Sequence, residues 1–196
     1  MRGFGKEVVV VNETLKVIAS RRSRRRYKGE QISDAELRQV MEAAIYAPSA
    51  RNQQKWHFTV IQDKDLIDKM AQIIQHNAMN AGNEHLAKLM GAPGYHVFHH
   101  APTVVIISYV AGESFVEMDC GMAAQNICLA AESLGLGSCV IGFSRFLLLS
   151  QEGKELLQGL GIPEGYSHLC GISLGYTDAK PLPMPRRNKD VVTYIK

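Results

Sequence analysis

The chain has 196 residues, 46% hydrophobic and 21% charged, enough for one well-buried core and without any apolar run long enough to span a bilayer, so an integral membrane protein is excluded. The formal net charge is +3, and much of the basic surplus lies at 21–28 and 186–189, a local distribution that suits a small anionic ligand better than a long polyanion such as nucleic acid. Cys120, Cys128, Cys139 and Cys170 show no Cys-x-x-Cys spacing, which argues against zinc, a redox dithiol or a disulfide framework and reads them as small buried hydrophobes.

Taken in chain order, Val8–Val11 is too brief for the apolar core of a secretory signal and no small-residue cleavage site follows it, so the expected location is the cytoplasm. No second composition regime interrupts the chain, and a single domain over 1–196 is expected. Asn12 can cap a helix whose Leu15, Ile18 and Ala19 share a face, placing the arginines from Arg21 onward at its C-terminal end, where the dipole favours cations. Ser33-Asp34-Ala35-Glu36 is a capping box, and Leu37, Val40, Met41, Ala44 and Ile45 then repeat at helical spacing until Pro48.

Trp56 to Gln62 alternates with the period of a strand, and Leu66, Ile67, Met70, Ile73 and Ile74 return to helical spacing. From Asn77 to Tyr95, Asn, Gly and Pro break any regular pattern, which predicts a mobile excursion over a pocket. Thr103–Val110 is a continuous β-branched run, the pattern of a strand buried on both faces. Phe115–Leu134 is apolar nearly all round and predicts a central helix, sandwiched against the sheet and also at a subunit interface. Asp119 and Cys120 at its start read as a capping acid and a core residue. A short strand at 139–142, a helix at 151–160 and a strand at 168–174 follow, and Pro181, Pro183 and Pro185 make the tail extended, able to deliver Arg186 and Arg187 to a distant place.

Two segments carry the functional signal. RRSRRRY at 21–27 concentrates five arginines and a serine at a helix end, and APSARNQQKW at 47–56 sets Pro48, Ser49 and Asn52 in an irregular loop before a strand. An arginine offers five donors in a fixed fork that suits phosphate or a carbonyl edge, and the loop offers apolar surface beside short hydrogen-bonding groups, so together they read as a receptor for something anionic and flat. His96-Val97-Phe98-His99-His100 invites a metal by helical spacing, but a strand follows directly and no Asp or Glu nearby completes a ligand set, so no metal is expected.

RRSRRRY, APSARNQQKW, DCGMAAQNICLAAESLGLGS at 119–138 followed by CVIGF, and the C-terminal PRR together resemble, in this order and over most of the chain, the FMN-dependent nitroreductase family. The resemblance implies an α+β fold, with a central, mostly antiparallel sheet wrapped by helices, and a homodimer with FMN at the interface. It implies that Arg21, Arg22, Ser23 and Arg25 line the phosphate, ribityl chain and pyrimidine edge of FMN, with Arg25 beside N1 and O2, and that Arg186 and Arg187 complete the phosphate clamp. A phosphate needs charge-assisted partners, and a cation at the N1/O2 edge stabilises the anionic reduced ring, so the physics agrees. Pro48, Ser49 and Asn52 correspond to positions that meet the flavin from the partner subunit. Gln54-Lys55-Trp56 stands where the family shows Gln-Pro-Trp, which frees one backbone angle and restores a donor.

Val140, Ile141 and Gly142 correspond to the stretch that approaches flavin N5, where a backbone N–H is the useful group and glycine permits close approach. No side-chain proton donor is expected there, and no catalytic side chain is named. The implied activity moves hydride from NADH or NADPH to an electron-poor acceptor, a nitroaromatic or quinone, by a ping-pong mechanism. Competing readings are a flavoenzyme of the same fold with another acceptor (a dehalogenase, ene-reductase or flavin-fragmenting enzyme) and a non-enzymatic nucleic-acid-binding protein. The second lacks stacking aromatics, since only Tyr27 and Tyr194 lie near the basic clusters.

Overall fold

A computed structural model describes residues 12–180, 183–188 and 190–196; Val8–Val11 and Pro181, which entered the reading above, lie outside the described residues. Helix α1 runs from Glu13 to Ser20 behind Asn12, whose Oδ1 accepts the Leu15 N–H at 3.0 Å. Helix α2, Asp34–Ile45, begins at the expected capping box, with Ser33 and Glu36 satisfying each other's backbone N–H groups. Strand β1 spans Trp56–Ile61, helix α3 Lys64–Met79, helix α4 Glu84–Met90 and strand β2 Thr103–Val110. Helix α5 spans Val116–Ser133, strand β3 Gly137–Ile141, helix α6 Gln151–Gly159 and strand β4 Tyr166–Gly175, and a 3₁₀ segment at Gly142–Leu149 links β3 to α6.

The four strands form one sheet in the order β1-β2-β4-β3, with every neighbouring pair antiparallel. Its interior strand β2 is buried on both faces because helices cover both sides, which is why its sequence does not alternate. On one side Trp56, Val105, Ile107, Ile172 and Leu174 pack against α2 and α5. On the other, Ile61, Val104 and Ile106 pack with α3, Phe98 and the 3₁₀ segment.

Two expectations need correction. The 77–95 excursion is ordered in large part: Asn77–Met79 close α3, and Asn83 caps α4 by accepting the Leu86 N–H at 2.9 Å. Asp119 does not cap α5, whose N-cap position holds Phe115 without a side-chain bond; its Oδ2 accepts the Ala50 N–H at 3.0 Å and ties the 47–56 loop to the helix. Within one chain α5 is buried along one face only, through residues such as Cys120, Ala123, Ile127 and Ala131, while Met118 and Gln125 remain exposed. All four cysteines are free and buried, as their spacing suggested. No helix of the described residues is long and apolar enough to cross a membrane.

A buried polar chain supports the end of β3. The Ser144 hydroxyl donates to the Ile141 carbonyl at 2.7 Å, so its oxygen must accept from His168 Nε2, 2.8 Å away, and His168 Nδ1 is left without a partner among the described residues. Burial therefore opposes the charged ring and pushes the His168 pKa down from 6.5 to about 4. Above pH 6.5 the resulting stability is fully present; as the pH falls to about 4 the unfolded chain gains a proton that the folded chain refuses. About 3 kcal/mol is lost across that window from this group. Denaturant unfolding from pH 7 to pH 4 should show the loss, and His168→Gln, which cannot titrate, should remove that part of the slope. Identical slopes in both proteins would contradict the assignment.

Candidate functional site

The arginine run is divided by its backbone. Arg21 closes α1, its N–H bonding the Val17 carbonyl at 3.0 Å, and Arg22 folds back so that Nη1 donates to the carbonyls of Ala19 and Arg21, both at 2.7 Å. The chain then extends along the free edge of β3: Ser23 forms a parallel bridge with Ser138, and the Arg24 N–H donates to the Ser138 carbonyl at 2.9 Å. An extended backbone sends alternate side chains to opposite sides. Arg24 goes one way and donates Nη1 to the Ala179 carbonyl at 2.9 Å, buckling the start of the tail to β3. Arg25 goes the other way, into a cavity of about 540 Å³ whose wall includes Cys139, Val140, Ile141 and Gly142. Burial holds the Cys139 thiol above the usual range, with the Arg25 charge and Ser23 acting in the opposite sense, so it is no nucleophile at neutral pH.

The facing wall comes from the segment before β2. His99 and His100 both have left-handed φ values, 57° and 54°, which non-glycine residues rarely adopt. His96 holds them there: its Nδ1 faces the backbone N–H groups of Phe98 at 3.2 Å and His100 at 3.3 Å, and its Nε2 lies 3.2 Å from Asp68 Oδ1. Two donors aimed at Nδ1 fix the neutral tautomer with the proton on Nε2. Burial and the neighbouring His100 accordingly keep His96 below the usual imidazole pKa, against the pull of Asp68. Phe98, fully buried, packs over Gly171, where an added Cβ would come within 3.1 Å of the ring. The turn thus presents Tyr95 and His99 to the cavity, and burial, reinforced by Arg25, pushes His99 down to about 4. At neutral pH it is an uncharged donor and acceptor.

The other expected residues lie elsewhere in the single chain. Pro48, Ser49 and Asn52 are outside that cavity, in a loop where Arg51, Asn52 and Gln54 all take left-handed φ of 51–55°. The loop is held by the Gln54 N–H donating to Ser49 Oγ and Gln54 Nε2 donating to Asn52 Oδ1, both at 3.0 Å. Lys55, at the position of the family's proline, reaches Glu113 at 2.8 Å. Arg186 and Arg187 are exposed and line a separate hollow of about 610 Å³ whose described lining is Arg186, Arg187, Asn188 and Asp190. Among the described residues left-handed non-glycine backbone falls at three places, 51–54, 99–100 and Phe115 before α5, and strain of this kind often gathers at functional sites.

The nitroreductase family model matches residues 18–176, from the last turn of α1 to the end of β4. The chain belongs to the nitroreductase family. A crystal structure of a nitroreductase with bound FMN from Bacteroides fragilis superposes with a TM-score of 0.88 at 31% identity, covering 95% of this chain and all of that one. A second FMN-bound nitroreductase, from Desulfitobacterium hafniense, gives 0.86 at 34% identity over 95% of this chain and 100% of its own. A protein of Archaeoglobus fulgidus, provisionally named an NADH dehydrogenase/NAD(P)H nitroreductase, is 36% identical over 85% of this chain and 86% of its length.

For a nitroreductase-family chain, then, one cavity unites one residue of the arginine run with the end of β3, while the 47–56 loop and the tail arginines stand apart from it. Leu89 and Tyr95, from the 77–95 segment expected over a pocket, line the cavity, and so do His99 and Arg145, which the sequence does not point to. His99 belongs to a histidine string, 96–100, whose spacing in sequence points only to a metal. Arg145 follows β3 in sequence by four positions, and its arginine was the only available signal.

Proposed function

We propose that this protein is an FMN-dependent NAD(P)H oxidoreductase that works as a homodimer. The cavity fits the ring part of such a cofactor: it has about 540 Å³, Arg25 on one wall, and a strand end with Gly142 on another. The chemistry FMN supplies when bound is two-electron carriage from NADH or NADPH to an electron-poor acceptor such as a nitroaromatic or a quinone, in two successive half-reactions.

The chain's own residues bind, orient and polarise. Arg25 would supply a fixed positive charge to the pyrimidine edge of a bound flavin. The strand end at Val140, Ile141 and Gly142 would hold the N5 side of a bound flavin through its backbone, and the hydrogen bonds from His168 through Ser144 to the Ile141 carbonyl keep that strand end in place. Arg21, Arg22 and Ser23 belong to the phosphate and ribityl side together with Arg186 and Arg187. Pro48, Ser49 and Asn52 reach the ring from the second copy, which accounts for their distance from the Arg25 cavity within one chain. NADH and NADPH are both admitted as reductants on the strength of the Archaeoglobus fulgidus relative's name.

The observation that carries this reading is the meeting of Arg25 with the 140–142 strand end in one cavity. Purified protein should be yellow, and anaerobic addition of NADH or NADPH should bleach it, with colour returning on addition of a quinone. A flavin-loaded protein that neither nicotinamide bleaches would refute it.

A further inference from the structure

We infer that this cavity selects electron acceptors that carry a carboxylate, or an equivalent anionic group, on a planar ring, with Arg145 as the residue that pairs with the charge; the inference rests on the flavoenzyme reading above. Arg145 lies in the 3₁₀ segment that continues β3, so the strand end that faces the ring and the arginine are on one rigid stretch of chain. Its side chain lines the cavity from an exposed position, and its guanidinium centre sits 5.6 Å from the centroid of the Phe146 ring. Phe146 is itself buried, so the cation rests on a fixed platform and its orientation is held without consuming its donors.

Those donors are uncommitted. Among the described residues Arg145 makes no ion pair and no side-chain hydrogen bond, whereas Arg22 and Arg24 each commit Nη1 to backbone carbonyls. No Asp or Glu lines the cavity among the described residues, and the only other cation there is Arg25, which on the flavoenzyme reading is taken up by the flavin's pyrimidine edge. The two titratable groups opposite add no charge at neutral pH: His99 is neutral, and burial holds the Tyr95 hydroxyl protonated. One positive charge therefore remains unmatched once the ring is in place. A planar fork at the rim of a half-enclosed site is matched by a planar two-oxygen anion. His99 and Tyr95 supply neutral donors for the oxygens at the other end of such a molecule.

The test uses FMN-loaded protein and two probes of one shape, 4-nitrobenzoate and neutral 4-nitrotoluene. Each is titrated against oxidised enzyme without reductant, following the visible spectrum, and then used as acceptor. Wild type should bind and reduce 4-nitrobenzoate with roughly tenfold preference, Arg145→Gln should abolish the preference, and Arg145→Lys, which keeps the charge but loses the planar fork, should retain only a minor part of it. Added salt should shrink the preference in wild type and have no effect on Arg145→Gln. Equal preference in wild type and Arg145→Gln would overturn the inference, as would an effect of Arg145→Gln confined to the KM of NADH or NADPH, which would assign the arginine to a nicotinamide phosphate. Failure of wild type to take up FMN would instead bring down the flavoenzyme reading, and this inference with it.

Discussion

Arg25→Ala is expected to loosen FMN by roughly 10- to 100-fold, the worth of one charged hydrogen-bonded contact in a partly enclosed site. Arg25 is the single member of the arginine run that lines the 540 Å³ cavity, and its side chain is exposed, so truncation leaves the fold itself nearly untouched. Because Arg25 is assigned to the ring, riboflavin should weaken by the same factor as FMN. Arg21→Ala and Arg187→Ala, assigned to the phosphate, should weaken FMN and leave riboflavin unchanged. Quenching of flavin fluorescence on titrating apoprotein with each compound gives all of these constants. An unchanged FMN constant in Arg25→Ala would remove the cavity from the account, and riboflavin sensitivity in the other two variants would reassign those arginines to the ring.

Gly153→Ala should cost about 3 kcal/mol or more, enough to leave much of the protein unfolded at moderate temperature. A Cβ at Gly153 would lie 2.0 Å from the Leu147 carbonyl oxygen and 2.8 Å from its carbon, both backbone atoms that no side-chain rotation can clear. Leu147 is fully buried, so relief requires α6 to lift away from the 3₁₀ segment that carries Ser144, Arg145 and Phe146. The damage would therefore reach the cavity as well as the fold. Gly159→Ala, in the same helix with nothing within 4 Å of the new methyl, provides the contrast and should be neutral or slightly stabilising. Denaturant melts of the two variants check this, and a Gly153→Ala protein as stable as wild type would contradict the packing described here.

Local chemistry explains which parts of this structure could be read from sequence. The Ser33–Glu36 box, the β-branched run of β2 and the long apolar pattern of α5 announce themselves because short-range physics and burial agree at those places. Helix α4 was missed because it has seven residues, with only Leu86, Leu89 and Met90 at helical spacing between Asn83 and Gly91, and its stability comes from packing on α3. The His96 turn was illegible for a similar reason: its partner Asp68 is 28 positions away and the seat of Phe98 is Gly171 on β4. Asp119 looked like a capping acid because acids favour helix starts, yet its partner is the Ala50 N–H, 69 positions distant.

The candidate site was legible as a set of segments and not as a division of labour. Five arginines within six positions are chemically equivalent in sequence. Only the bridge between Ser23 and Ser138 sets the alternation that turns Arg25 toward the β3 end and Arg24 toward the tail. Which side chains line the cavity depends on β3 being an edge strand, a property of sheet order that no local pattern encodes.

The most direct test of the central claim is a crystal structure of the protein grown with FMN. Each protomer should hold a planar ring lying against Arg25 and the Ile141–Gly142 backbone, with the Pro48–Asn52 loop approaching it from the second copy. A ring bound elsewhere, or an empty cavity with Arg25 turned to solvent in the presence of saturating FMN, would contradict it.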